Sequence, residues 1–337
     1  MQRFTGFPTH LLSVFIFVMG FWASEVPAAN PHIDADQVKG PDACGECHKD
    51  SVEVWRSSHH ATTFRNMPRS QAATDIAKKL GIKRIKSESD CLTCHFTSAN
   101  VEGKIKPISG ISCESCHGAG ADWIDVHSSF GGKDDTAKTE TAAHREQRYA
   151  ASEAAGMIRP SDLYGLASNC YGCHTVPNER LVNVGGHPAG SKFELVRWSQ
   201  GEVRHNLWYS KANNEAPLQR RRVLYVIGKM IDLEYALRGV AKATQNATYA
   251  KSMAKRAQTA IAWLKKINQT QNIAEIEAIL TDVGSVRLKL NNEAPLLTAA
   301  NKVADHARTF ATNQNGESLS GIDGLLPTPD KYRGPVF

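Results

Sequence analysis

Beyond residue 28, the sequence lacks any apolar run long enough to cross a bilayer. A membrane-spanning helix needs about 20 apolar residues, and the one candidate run, Leu11 to Trp22, has 12. Aromatic residues are 7% of the chain and hydrophobic residues 41%, so no segment suggests an unusually large apolar core. We expect a mature chain without a transmembrane span, folded into one large or two moderate domains.

Cysteine is absent outside four short motifs, each of the form Cys-x-x-Cys-His. The motifs hold all eight cysteines, Cys44, Cys47, Cys91, Cys94, Cys113, Cys116, Cys170 and Cys173, and end in His48, His95, His117 and His174. Disulfides or zinc ribbons would also use paired cysteines. Neither needs a histidine directly after the second cysteine, and four such coincidences have odds of roughly one in a million.

The motif is the attachment signature of c-type haem. Two thiols bind the porphyrin covalently, and the adjacent histidine supplies one axial ligand to the iron. The sequence therefore predicts four covalently attached haem c groups with iron. A haem macrocycle also offers apolar surface, which lets short helices and loops pack without a conventional core.

Residues 1–28 have the pattern of a secretory signal peptide. Arg3 precedes the apolar run, and Val26-Pro27-Ala28 offers a small-residue cleavage site. An uncleaved anchor is the alternative. The prediction is export to the periplasm or the extracellular space, which agrees with the attachment of haem c outside the cytoplasm.

We predict a mainly α fold. Short helices and loops packed on haem form a tetrahaem domain at 29–210, an antiparallel helical bundle follows at 211–314, and 315–337 forms an irregular tail. The predicted helices are 50–64, 74–80, 136–157, 192–210, 217–239, 246–267, 272–283 and 295–313, and a small hairpin is predicted between Cys91 and Cys113. The repeated sequence Asn-Asn-Glu-Ala-Pro-Leu, at 213 and 291, predicts two helix starts, with asparagine as a capping acceptor.

Charge is unevenly distributed along the chain. Residues 211–337 carry 18 Lys+Arg against 11 Asp+Glu, whereas residues 1–210 carry 22 against 23. The basic part indicates either a solvated helical face or a docking surface for acidic redox partners or an anionic membrane. Lys83, Arg84 and Lys86, just before the second motif, are further candidates for docking or for setting a potential. Nucleic acid is not an expected partner of an exported cytochrome.

Eight histidines outside the motifs and the signal peptide are candidates for the second axial positions. They are His32, His59, His60, His127, His144, His187, His205 and His306. Four irons need at most four of them, so counting alone cannot show whether one iron has an open side.

Residues 44–210 resemble the cytochrome c-554 family of tetrahaem electron carriers. The shared features are Trp55 followed by His60-Ala61, Asp90-Cys91, the stretch Cys113-Glu-Ser-Cys-His117-Gly118, His127 at the family's spacing, and Asn169-Cys170. The resemblance does not extend to residues 211–337.

The resemblance implies that His60, His127 and His205 are distal ligands. It pairs His48 with His127, His117 with His205 and His174 with His60. It also implies that the second haem is five-coordinate, with His95 on one side of the iron and an open position on the other. His187, in the loop Val184-Gly185-Gly186-His187-Pro188, is suited to bring an imidazole to that side, and the alternative is a polar histidine near a propionate.

Three functions agree with these residues. We expect an exported electron-transfer protein, with redox proteins as partners, rather than an enzyme. The alternative is a reductase of a nitrogen oxide or similar small molecule at an open iron held by His95. In a third hypothesis, the basic bundle docks the chain to a membrane complex or an assembly.

Overall fold

The computed structural model describes Met1 and residues 33–87 and 89–336, and these residues are mainly helical, which confirms the mainly α prediction. Apart from Met1, the predicted signal peptide lies outside the described residues, as does His32. In the motif region (residues 33–210) the α-helices are α1 Pro41–Gly45, α2 Lys49–Ser57, α3 His59–Asn66, α4 Gln71–Leu80, α5 Ser89–His95, α6 Cys113–His117, α7 Ile124–Ser128, α8 Ala142–Ala154, α9 Leu163–His174, α10 Glu179–Asn183, α11 Leu195–Ser199 and α12 Leu207–Ser210. The 3₁₀ turns Met67–Arg69 and Ile85–Ser87 join them.

The predicted helix over 50–64 is divided at Ser58. This residue has extended backbone angles (φ −76°, ψ 161°), and its hydroxyl accepts the N–H of Ala61. A serine oxygen that accepts a free amide at the first turn is a strong helix start. Ser58 therefore begins α3, which carries His60, at a new angle to α2.

The predicted hairpin is confirmed. Strands β1 (Thr97–Val101) and β2 (Lys104–Ser109) pair antiparallel, with Val101 opposite Lys104. The two residues between them, Glu102 and Gly103, both have positive φ, 56° and 75°. Such a two-residue turn matches the twist of paired strands, and it returns the chain from the second motif to the third.

The helix predicted over 192–210 is wrong in its middle, because only α11 and α12 are helical there. Between them the backbone pairs with the C-terminal segment: the N–H of Arg333 donates to Arg197, and that of Glu202 donates to Arg333, both at 2.9 Å. A Cβ on Gly201 would lie 2.1 Å from the Arg333 carbonyl oxygen. This contact with a residue distant in sequence shapes the loop that carries His205.

The helix predicted over 136–157 begins later, at Ala142. The hydroxyl of Thr141 accepts the N–H of His144 at 3.2 Å and caps the helix. Upstream, the N–H of Thr136 donates to the hydroxyl of Thr139 at 2.8 Å, which holds that segment in a turn.

The bundle consists of four α-helices whose positions agree closely with those predicted. They are α13 Leu218–Lys242, α14 Thr248–Thr270, α15 Ala274–Val283 and α16 Glu293–Asn313. Consecutive helices contact each other across short links, which is the pattern of antiparallel neighbours. The asparagine caps were predicted wrongly: Pro217 precedes α13, and the Asn292 amide donates instead to the Arg287 carbonyl.

Helix α13 lies at the centre of the apolar core. It packs against α14 and α16 in the bundle and against α9 and α11 in the motif region. The core extends from Leu163 to Ile322 and so crosses the predicted domain boundary at 210. The fourth motif, at the end of α9, is thereby attached to the bundle. No helix among the described residues combines the length and the apolar character that a membrane span requires.

The segment after residue 314, predicted to be irregular, contains 3₁₀ turns at Glu317–Leu325 and Pro329–Lys331. Leu319 and Ile322 are buried in the bundle core. Arg222 on α13 donates to both carboxylate oxygens of Asp323, at 2.6 and 2.7 Å. These contacts fix the chain that leads to Arg333.

Candidate haem-binding sites

Each motif lies at or beside a helix end. Helices α5, α6 and α9 end on the motif histidines His95, His117 and His174. His48 is the residue immediately before α2. All eight cysteines are free of disulfides. The disulfide interpretation of these motifs therefore has no support in the structure.

Four pairs of histidine rings lie opposite each other at interplanar angles from 24° to 85°, and each pair joins one motif histidine to one histidine from elsewhere in the chain. The centroid distances are 6.2 Å for His48 and His127, and 6.3 Å for His60 and His174, for His95 and His187, and for His117 and His205. The structure thus brings together all eight predicted axial residues in pairs, including His187 opposite His95.

This separation fits one iron between each pair of rings. An imidazole nitrogen lies about 2 Å from a bound metal ion, so two imidazoles on opposite sides of one ion have their centroids roughly 6 Å apart. Among the described residues, no cluster of three or more metal-ligating side chains is found. The remaining ligands of such an ion would have to come from a bound group, and a porphyrin would supply four nitrogen ligands.

Hydrogen bonds orient several of these rings. The Nδ1 atoms of His117, His127, His187 and His205 lie 2.9, 2.5, 2.9 and 2.8 Å from the carbonyl oxygens of Ile158, Ile124, Pro188 and Val203. Nδ1 of His174 lies 3.1 Å from the Ser191 hydroxyl. A carbonyl oxygen can only accept, so Nδ1 carries the proton in those four rings and leaves Nε2 with a lone pair for a metal.

Burial keeps the motif imidazoles neutral. It lowers the pKa of His95 and of His174 to about 4 and is also the main cause of the lowered pKa of His117. The facing rings add a smaller repulsive contribution to each. Neutral imidazole is the form that binds metal, so these groups need not lose a proton at neutral pH.

Contacts between cysteines give the spatial order of the motifs. The thiols of Cys44 and Cys113 lie close enough to interact, as do those of Cys94 and Cys173. Cys116 and Cys170 are close enough to interact electrostatically. The order in space is therefore first, third, fourth, second, and it differs from the order in the sequence.

Two buried side chains, Glu114 and Trp123, lie near the first and third motifs, and the sequence predicts no role for Glu114. The carboxylate of Glu114, 1% exposed, accepts the N–H groups of Lys39, Gly40 and Gly120 at 2.8 Å each. Trp123 packs edge-on against His127 at 5.2 Å, and its buried Nε1 has no acceptor in the described part of the chain. An unpartnered indole N–H beside His127 would suit a carboxylate of the bound group.

The other described histidines contact carboxylates rather than rings. His59, His144 and His306 have ring nitrogens 2.6, 2.7 and 3.0 Å from the side chains of Glu202, Glu140 and Asp282. The resemblance implies His60 rather than the neighbouring His59, and this arrangement agrees with it. The His60 ring lies opposite that of His174, whereas the His59 side chain is 79% exposed.

Glu140 holds the segment that carries His127. Arg148 donates to both oxygens of Glu140, at 2.7 and 2.6 Å, and to the carbonyl oxygen of His127 at 2.5 Å. The Arg148 guanidinium lowers the pKa of Glu140 to about 2. A lowered pKa stabilises the folded state above the ordinary pKa, and this contribution disappears as the pH falls through the folded-state value.

We therefore expect an acid transition at His127 that depends on Glu140. Between about pH 4.5 and pH 2, the Soret spectrum of the loaded protein should change as Arg148 releases its partner, and Glu140→Gln should show the altered spectrum already at neutral pH. Glu146→Gln is the control, because Glu146 is an exposed residue on α8, the helix that carries Arg148. This variant should titrate like the wild type. Identical titrations for Glu140→Gln and wild type would contradict this role.

Comparison with known proteins supports the interpretation of the first three motifs as haem attachment sites. Residues 43–118 match the family model described as cytochrome c554 and c-prime. Over 101 residues, the chain is 29% identical to the cytochrome c-554 of Nitrosomonas europaea, and the alignment covers 28% of this chain and 43% of that protein. Residues 43–118 carry the sequence pattern of a c-type cytochrome, a class that holds haem c covalently.

The comparison has a limited extent. The chain spans less than half of the curated relative it matches. The family match ends at Gly118, before the fourth motif and the bundle. No solved structure matches the chain. The arrangement of the fourth motif on the bundle is thus known from the structure itself.

Proposed function

We propose that the protein is an exported tetrahaem c-type cytochrome that carries single electrons between redox proteins. The four facing histidine pairs support this proposal most directly, because two imidazoles per iron leave no position for a substrate. When bound, each haem c supplies an iron couple that exchanges one electron.

In this proposal every motif holds its haem in the same way. The two cysteines form thioethers, the motif histidine binds one side of the iron, and His127, His187, His205 and His60 bind the other side in the first, second, third and fourth motif. The similar centroid distances of 6.2–6.3 Å support a common six-coordinate state. Fixed ligands on both sides keep the geometry constant during one-electron transfer.

The spatial order of the motifs supports conduction through the protein. Each contact between cysteines of different motifs brings two attachment points together. Electrons would pass between the first and second motifs through the third and fourth. The first and second motifs are then the two ends, and each end serves a different partner.

The alternative function is reduction of a nitrogen oxide or similar small molecule at an open iron held by His95. That function needs a free coordination position opposite His95. The His187 ring, with its centroid 6.3 Å from that of His95, lies where the substrate would bind. This observation favours the carrier over the reductase.

Electron paramagnetic resonance separates the two functions. We expect the oxidised, fully loaded protein to show four low-spin signals and no high-spin signal, and the reduced protein to bind no carbon monoxide. The reason is that six-coordinate irons with two imidazoles have no free position. A high-spin signal together with carbon monoxide binding would favour the reductase.

A further inference from the structure

A basic patch lies immediately before the second motif. Residues 65–87 contain seven Lys or Arg and one acidic residue, Asp75. The basic residues are Arg65, Arg69, Lys78, Lys79, Lys83, Arg84 and Lys86, and all except Lys86 are exposed. The net charge of this short segment, 7 − 1 = +6, equals that of the whole protein.

The basic side chains of the patch and those of the bundle differ in whether a carboxylate lies beside them. In residues 211–337, eight of the 18 basic side chains lie within 4 Å of a carboxylate, among them Arg222 with Asp323 and Arg256 with Asp232. None of the seven patch side chains is paired with a carboxylate of the described residues. The patch therefore presents unneutralised positive charge, although the bundle has the larger number of basic residues.

The patch also has the shape of a docking surface. A cavity of about 540 Å³ lies within it, and its lining includes apolar Pro68, Ile82 and Ile85 and basic Lys78, Lys83 and Arg84. Apolar residues surrounded by charged ones are the usual composition of protein interfaces. An acidic side chain entering here would meet cations and an apolar floor together.

The patch adjoins one end of the proposed electron path. The ammonium of Lys86 lies 3.2 Å from the centroid of the Phe64 ring and 5.8 Å from that of Phe96, which directly follows His95. The 3₁₀ turn Ile85–Ser87 contacts α5, the helix that ends on His95. A partner seated on the patch is thus held beside the second motif, the terminal one in the spatial order.

We propose that residues 65–86 form the docking site for a one-electron redox protein with an acidic surface, and that electrons enter or leave at the second motif. This inference rests on the proposed carrier function. Complementary charge raises association rates by about 10 to 1,000 times at low ionic strength. It also orients the partner toward the nearest redox centre.

The test uses the full-length, loaded cytochrome and a reduced plant-type [2Fe–2S] ferredoxin, an acidic one-electron donor, as the probe. Lys78→Glu, Lys83→Glu and Arg84→Glu are combined in one variant. We expect the bimolecular rate of electron transfer at low ionic strength to fall at least about tenfold and its salt dependence to disappear. In the wild type, carbodiimide should link the ferredoxin to Lys78, Lys79 or Lys83.

The matched control combines Lys251→Glu, Lys255→Glu and Lys265→Glu, three exposed positions on α14. It changes the net charge by the same amount, so its rate should remain close to that of the wild type. Equal losses in both variants, or a wild-type rate that is independent of salt, would overturn the docking site.

A second reaction separates this inference from the carrier function. Dithionite, which needs no docking site, should reduce all four haems in the wild type and in both variants. Failure of that reduction in the wild type would refute the carrier function itself. Normal reduction by dithionite together with an unchanged ferredoxin rate in the patch variant would refute the docking site alone.

Discussion

Replacing His187 with alanine is expected to convert one low-spin centre into a high-spin centre that binds carbon monoxide. The reason is the position of the His187 ring, whose centroid lies 6.3 Å from that of His95, the separation expected for the proposed second axial ligand. Among the described residues, no other histidine ring lies opposite His95. The reduced variant should bind about one carbon monoxide per chain, and electron paramagnetic resonance should show a new high-spin signal with three low-spin signals remaining.

Two further variants make this result specific. His306→Ala removes a histidine that contacts Asp282 in the bundle, so it should leave all four low-spin signals unchanged. His187→Met offers a thioether to the same iron and should keep the centre six-coordinate while raising its potential. Four unchanged low-spin signals in His187→Ala would show that His187 is not a ligand and would reopen the reductase hypothesis.

The loop around His187 shows why the sequence alone left this site undecided. A Cβ on Gly185 would lie 2.6 Å from the Leu181 carbonyl oxygen, and Gly186 has φ +74°. These glycines let the chain turn tightly after α10 and direct the imidazole toward His95. The glycine pair suggested such a loop, but its destination depends on packing between α4 and α10, which are about a hundred residues apart.

The prediction of the bundle succeeded where the information is local. Apolar periodicity placed α13 to α16 within a few residues of their observed ends, because each helix buries one stripe or, for α13, most of its surface. The predictions failed where contacts are distant in sequence. The break between α11 and α12 depends on Arg333. The break at Ser58 is different, because it depends on a local cap that the apolar periodicity does not register.

Three of the four histidine pairs came from the resemblance rather than from spacing, and the fourth, His95 with His187, was suggested by the glycine loop against the resemblance. His127 and His205 carry no motif of their own, and eight candidates could have filled four positions. The structure adds an independent observation, since each motif histidine faces one ring at nearly the same distance. The role of Glu114 could not be assigned from sequence, because it depends on backbone amides that only folding brings together.

Replacing Glu234 with glutamine is expected to lower the free energy of unfolding by about 3 kcal/mol, since breaking a buried ion pair costs about 3–5 kcal/mol. Glu234 is 0% exposed on α13. It accepts the Tyr164 hydroxyl at 2.8 Å and the Arg238 guanidinium at 2.9 Å. Burial raises the pKa of Glu234, and the charge of Arg238 opposes that rise. Tyr164 lies on α9, so the network joins the bundle to the helix that ends on His174.

Glu215→Gln is the control, because its carboxylate also accepts from one arginine and one tyrosine but is more exposed. Glu215 accepts from Arg221 at 2.7 Å and from the Tyr332 hydroxyl at 3.0 Å, and its side chain is 31% exposed. An exposed ion pair contributes about 0–1 kcal/mol, so this variant should unfold nearly like the wild type. Guanidinium unfolding followed by far-UV circular dichroism measures both variants. Equal losses would mean that burial does not set the contribution of the Glu234 network to the free energy of unfolding.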